Sequence, residues 1–181
     1  EVSTAMSGDS QGICAVASVD AISRELPEPS VGETIVVIAQ GRDPGNVGTI
    51  IRTADAFGAV GVVVVAGTVD ASSPKVVRSS AGSVFHIPVC VVASFTDART
   101  LVHVRSAALL GTSGGAGSLS LSDLLVQGLS ARSRLSQSHA WVFGNEARGL
   151  SGEEMRLCDA LVSIPIENCL NLGDRGCSEP R

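Results

Sequence analysis

Two stretches of the chain carry side chains whose types and spacing could do chemistry. The first is Asp43-Pro44-Gly45-Asn46-Val47-Gly48, with Arg52 four residues further on. A Pro-Gly turn that opens a helix leaves backbone N–H groups unpaired at the positive end of the helix dipole, which favours an anionic or polar ligand. The pattern is neither GxGxxG nor a Walker loop. At about 100° per residue, Arg52 lies roughly 140° around such a helix from Val47, away from the apolar side. There it reads either as a solvated cation or as one aimed at a phosphate or ribose. The second stretch is Phe143-Gly144-Asn145-Glu146-Ala147-Arg148-Gly149-Leu150. Its glycines permit close backbone approach, and Asn145 and Glu146 offer an amide and a carboxylate just past a buried strand. Taken singly, each stretch also has a purely structural reading, as a turn or as a cap for the next element.

Other chemistries find little support. His86, His103 and His139 are scattered and pair with no Ser or Cys nucleophile motif, so a hydrolase triad is not indicated. Cys14, Cys90, Cys158, Cys169 and Cys177 are odd in number and lack CxxC or paired Cys/His spacing, which points to no zinc site and no disulfide framework. No metal is expected.

The elements that must position these residues alternate between strand and helix. Thr34 to Gln40 is a continuous β-branched run, as expected for a strand buried on both faces of a parallel sheet. From Asn46 to Phe57, Val47, Ile50, Ile51, Ala54 and Phe57 gather on one helical stripe, with Asn46 as the expected N-cap and Gly58 as the stop. Val60 to Ala66 completes a right-handed βαβ unit. Further along, helices are expected near Pro74 to Ser80, Thr96 to Arg105 and Leu121 to Gly128, and strands near Ile87 to Val92, Ala107 to Thr112 and His139 to Phe143. Ser151 and Glu154 have capping-box spacing for a helix reaching about Leu157, and Ala160 to Ile164 is the last clear strand. The order implies an α/β domain with a mainly parallel sheet flanked by helices. In such sheets ligands sit beyond the carboxyl ends of strands, where the loops after Gln40, Phe143 and Ile164 fall.

With 181 residues, 44% hydrophobic and 17% charged, the chain fits one globular domain. Its longest apolar runs stop well short of the ~20 residues a membrane span needs. The first residues lack a basic region followed by an apolar run, so a cytoplasmic protein is expected, with no membrane partner. The net charge of -5 is concentrated early: residues 34 to 181 hold twelve acids and twelve basic residues. A neutral body does not by itself advertise nucleic-acid binding.

Together the segments resemble the motifs of the SpoU/TrmH-type RNA 2'-O-ribose methyltransferases of the SPOUT superfamily, over most of residues 31 to 172. The first motif is carried by Asp43 through Ala54 and on to Ala56-Phe57-Gly58, and the second by Phe143 through Leu150. The resemblance implies a trefoil-knotted domain, S-adenosylmethionine bound in the knot, RNA as substrate, and a homodimer whose sites borrow residues from the partner. By that similarity Asn46, Arg52, Glu146 and Asn171 form the catalytic group. Gly144, Asn145, Gly149, Ile164 and Ile166, with Leu170, would hold the cofactor.

Residues 1–30 are expected to be a linker or the tail of an N-terminal RNA-binding module, which favours ribosomal over transfer RNA. Residues 31–172 form the methyltransferase domain, and 173–181 an atypical tail. The third motif departs from the family pattern: Glu167-Asn168-Cys169-Leu170-Asn171 follows Ile-Pro-Ile almost at once, with Cys169 in the serine position. The tail after it is rich in Gly and charge rather than helical and apolar. Two alternatives therefore stand beside the enzyme: a catalytically silent RNA-binding or dimerisation protein of the same fold, and a flavodoxin-type nucleotide-binding domain, whose Ser/Thr-rich phosphate loop is missing.

Overall fold

The computed structural model describes residues 15–22, 24–115, 117–127 and 135–165. Seven strands are found among them: β1 (Thr34–Ile38), β2 (Gly61–Val65), β3 (Val89–Val92), β4 (Ala108–Thr112), β5 (Leu119–Ser120), β6 (His139–Phe143) and β7 (Ala160–Ser163). The helices are α1 (Pro44–Ala56), α2 (Pro74–Ser79), α3 (Ser83–His86), α4 (Phe95–His103), α5 (Leu121–Gln127) and α6 (Gly152–Leu157). The strands make one sheet in the order β3-β2-β1-β6-β4-β7-β5, and every pairing between them is parallel.

The unalternating strands are buried on both faces, as the β-branched runs require. Ile35, Val37, Leu109, Ala140 and Val142 pack on one face against Phe95, Ala98 and Val102 of α4 and Met155 of α6. On the other face Val36, Ile38, Val62 and Val64 meet Val47, Ile51 and Ala54 of α1, Val76 of α2 and Val84 of α3. Beyond β6 on that second face, Leu124 of α5 joins Leu110 and Val162. Each such fully buried Val, Leu or Ile contributes about 1.5–3 kcal/mol relative to exposure, so the central strands are the rigid base for the loops at their ends.

The helix after β1 begins earlier than its sequence suggests. Asp43, not Asn46, is the N-cap, and its carboxylate accepts the Asn46 backbone N–H at 2.9 Å. Pro44 takes the first helical position, where its missing N–H costs nothing and its fixed φ suits the turn. The Asn46 side chain is thereby released from capping. At the other end Phe57 is the C-cap and Gly58 follows with φ +70°, as expected. In the middle, Gly48 lets α2 come so close that a Cβ there would stand 2.8 Å from the Ser80 backbone nitrogen.

The α3 turn, the two-residue β5 and a 3-10 turn at Val19–Ala21 were not expected, because none is long enough to show one period of a helix or a strand alternation. The capping box of α6 is present in both halves: the Ser151 hydroxyl accepts from the Glu154 N–H, and the Glu154 carboxylate accepts from the Ser151 N–H. Part of the expected linker is packed down. Ile22 and Leu26 are buried, and the guanidinium of Arg105 donates to the Leu26 carbonyl at 2.8 Å. No helix among the described residues is long and apolar enough to cross a membrane.

Candidate active site at the carboxyl ends of the central strands

The chain runs outward through β1, β2 and β3, crosses to β4, and later inserts β6 between β1 and β4. That insertion brings the loop after β6 beside the loop after β1. The two are stitched together at once, since the Ala39 N–H donates to the Phe143 carbonyl at 2.9 Å. Just beyond, Asn46 Nδ2 donates to Glu146 Oε1 at 3.2 Å across a sequence separation of 100. The Glu146 carboxyl is held below the ordinary carboxylate range, first by its own backbone N–H and then by the Asn46 amide. It is therefore ionised at neutral pH.

The loop that presents Glu146 is held closed by its own hydrogen bonds. Asn145 and Gly149 exchange two backbone hydrogen bonds at 3.0 and 2.7 Å, and the Asn145 side-chain oxygen accepts from the N–H groups of Ala147 (3.0 Å) and Arg148 (3.2 Å). This closure needs Gly144, because a Cβ there would lie 2.4 Å from the Gly149 carbonyl carbon. Glu154 supports the arrangement from below. Its buried carboxylate accepts from Gln40 Nε2 at 2.8 Å as well as from the Ser151 N–H at 2.6 Å, so it ties the end of β1 to the start of α6. The sequence shows Glu154 only as a capping residue. Its link to Gln40 spans 114 positions and left no local signal.

Two clefts open on this structure. One, of about 330 Å3, is lined by Asn46, Thr49, Thr112, Gly144, Glu146 and Gly149 among others. The neighbouring one, of about 500 Å3, lies between the loop at Ser113 to Gly115 and the residues Gly149, Leu150, Met155 and Ile164. Apolar side chains on one wall and main chain with a serine hydroxyl on the other suit a planar heterocycle with a hydrogen-bonding edge. The residues present therefore fit a nucleoside-type cofactor.

Of the residues expected from the sequence, Asn46, Gly144, Asn145, Glu146 and Gly149 are brought together around the first cleft, and Ile164 lines the second. Arg52 is placed differently. It is exposed on α1, six positions after Asn46, hence about 120° around the helix and ~9 Å along it. No hydrogen bond or ion pair among the described residues joins it to Asn46 or Glu146. Ile166, Leu170 and Asn171 lie outside the described residues.

The histidines are engaged elsewhere: His86 with Asp55 at 2.6 Å, His103 with Asp159 at 2.9 Å, and His139 with Thr34 at 3.2 Å. Burial pushes the Cys158 thiol up to about 11, so no thiolate nucleophile stands there at neutral pH. Among the described residues no group of three or more His, Cys, Asp or Glu is placed to hold a metal ion.

A parallel sheet whose strand order reverses beside a polar crevice at its carboxyl ends defines a ligand-binding α/β domain. Within that class the particular assignment follows from the two loops: the chain belongs to the SpoU rRNA methylase family, whose model matches residues 33–174. It is 39% identical over 128 residues to a 23S rRNA (uridine(2479)-2'-O)-methyltransferase of Streptomyces viridochromogenes, covering 68% of this chain and 41% of that protein. It is 33% identical over 147 residues to a 23S rRNA (guanosine(2553)-2'-O)-methyltransferase of Bacillus subtilis, covering 78% and 53%. Among solved structures, an AdoMet-bound rRNA methyltransferase from Sinorhizobium meliloti is similar with a TM-score of 0.66 and 36% identity, over 79% of this chain and 51% of that one. The AviRb methyltransferase of Streptomyces viridochromogenes in complex with AdoMet gives 0.65 and 31%, over 86% and 55%. The chain thus spans about half the length of the relatives it matches.

Proposed function

We propose that this chain is the catalytic part of an S-adenosylmethionine-dependent RNA ribose 2'-O-methyltransferase, acting on ribosomal RNA in the cytoplasm. The observation that carries the reading is the Asn46–Glu146 hydrogen bond, which joins both motif loops in the first cleft, beside the one suited to a nucleoside. The names of the relatives support ribose methylation of 23S rRNA.

When bound, S-adenosylmethionine supplies a methyl group on a positively charged sulfur. Leu150, Met155, Gly149 and Ile164 would hold it, with Ile166 and Leu170 assigned by family position. The protein's task is then to place a ribose hydroxyl and help it lose a proton. Asn46 spends one N–H on Glu146 and keeps a second N–H and its carbonyl oxygen to orient the ribose. Asn171, again by family position, completes that orientation. Glu146, with its lowered pKa, is a weak base. It serves better as a fixed acceptor that holds the hydroxyl proton and hands it to water than as a store for it.

A guanidinium offers donors and no acceptor, so the role of Arg52 is to clamp a phosphate or the developing alkoxide. Standing away from its own chain's Asn46 and Glu146, it serves the site of a second copy. An apolar groove of about 540 Å3 alongside α1, floored by Val36, Trp141 and Phe143 and edged by Phe57, supports such a homodimer. Phe57 is 88% exposed in the single chain. The same reading includes the trefoil knot that the family resemblance implies.

Mass spectrometry of nucleosides from ribosomal RNA incubated with the protein and isotopically labelled S-adenosylmethionine tests the proposal. A labelled 2'-O-methylnucleoside is expected. Cofactor binding by calorimetry without any labelled nucleoside would instead favour the silent RNA-binding reading, which the altered third motif at Cys169 motivates.

A further inference from the structure

Five arginines of the described chain form two contrasting sets. Arg24, Arg99 and Arg105 spend their guanidiniums on main-chain carbonyls: Phe85 and His86 for the first, Leu157 for the second, Leu26 and Leu101 for the third. These are structural. Arg42 and Arg148 are exposed, and their guanidiniums make no hydrogen bond or ion pair among the described residues. Both line a single pocket of about 300 Å3, together with Gln40, Asn145, Glu146 and Ala147.

That pocket carries both signs of charge. Glu146 presents an ionised carboxylate, hydrogen-bonded by Asn46. Arg42 and Arg148 each present a planar fork of donors matched to phosphate oxygens. The carboxylate repels an anion and accepts from a hydroxyl, while the arginines do the opposite. A ribonucleotide within a chain carries a hydroxyl and a phosphodiester on neighbouring carbons, and so matches both kinds of group. The backbone beneath is set in advance by the Asn145 turn and by the Gln40–Glu154 bond, so little ordering remains to be done on binding.

We propose that Arg42 and Arg148 form a clamp for the RNA phosphodiester flanking the ribose held at Asn46 and Glu146. The clamp rests on the methyltransferase reading, and it gives a body with equal numbers of acids and bases two exposed guanidiniums beside the candidate site.

The test measures binding of a short fluorescein-labelled single-stranded RNA by anisotropy across a salt series, with S-adenosylmethionine binding followed by calorimetry on the same samples. Arg42→Gln and Arg148→Gln are each expected to lower the slope of log affinity against log salt by about 0.7, and the double variant by about twice that. Arg42→Lys and Arg148→Lys should keep the slope but bind several-fold more weakly, since lysine keeps the charge and loses the fork. Arg156→Gln, which removes an exposed charge on α6 outside this pocket, should change neither. Arg42 lines only this pocket among those described, so Arg42→Gln should leave cofactor affinity as it was. RNA binding by the parent chain with an unchanged slope in the double variant overturns the clamp and spares the enzyme reading. Cofactor binding with no RNA binding by the parent chain overturns both.

Discussion

At the residue scale, everything depends on an amide and a carboxylate 3.2 Å apart. Glu146 has a depressed pKa, so the contact is fully present above the ordinary carboxylate range and is lost as the pH falls through the lowered value. The acid limb of the methyl-transfer profile should accordingly lie below the ordinary Glu value of about 4.3. Asn46→Asp replaces the donor with a second carboxylate at the same spot. Two like charges there cannot both remain comfortably ionised, so one carboxyl titrates higher and the acid limb moves up. Methyl transfer should also fall about 100-fold, the typical loss when a donor near the reacting centre is removed. An unchanged pH profile in Asn46→Asp would remove Glu146 from the site. The types of these two residues were legible in the sequence, and the family resemblance placed both in motif loops. Their hydrogen bond was not, because Asn46 looks like a helix cap until Asp43 is seen to take that role.

At the scale of elements, two contacts set the loops where they are. Gly48 is the point where α1 and α2 meet. In an exposed helix Gly→Ala stabilises by about 1 kcal/mol, but here the new methyl would sit 1.9 Å from Ser79 Oγ and 2.8 Å from the Ser80 nitrogen. Overpacking of this kind costs about 1–3 kcal/mol and prevails, so Gly48→Ala should lower the melting temperature by several degrees. Glu154 is the second contact. Glu154→Ala removes a helix cap and leaves the Gln40 amide without its partner, for a loss of about 2 kcal/mol measurable by urea unfolding. Because Gln40 lines a pocket with Glu146, methyl transfer should drop more than the fraction unfolded accounts for. Strands and helices of four residues or more came through in the sequence to within a residue or two, apart from the one-turn α3. Their periodicity spans at least one full repeat of the buried face. Contacts such as Gly48 with Ser80 did not, since a glycine in a helical pattern says nothing about what lies above it.

At the scale of the whole molecule, an apolar groove opens on the second face of the sheet beside α1. Val36, Trp141 and Phe143 floor the groove there, and Phe57 projects at its edge. A second copy seated on this groove would hide the apolar surface and carry Arg52 toward the other copy's site. Light scattering should then give twice the chain mass for the parent protein and the chain mass for Phe57→Glu, with the circular dichroism of the two alike. A monomeric parent protein would leave Arg52 without a role in catalysis.

The sequence by itself determined the α/β class, the order of elements, the buried strands and the two motif loops, because hydrophobic period and turn chemistry are local properties of neighbouring residues. It also determined that the body is electrically balanced. The tertiary structure decided what no local pattern encodes: that β6 enters between β1 and β4, that Asn46 meets Glu146, that Glu154 reaches Gln40, and that two unspent guanidiniums share one pocket. Those facts depend on which strand lies beside which, and strand order is a matter of how the sheet buries its faces over the whole chain, not of any residue's nearest neighbours.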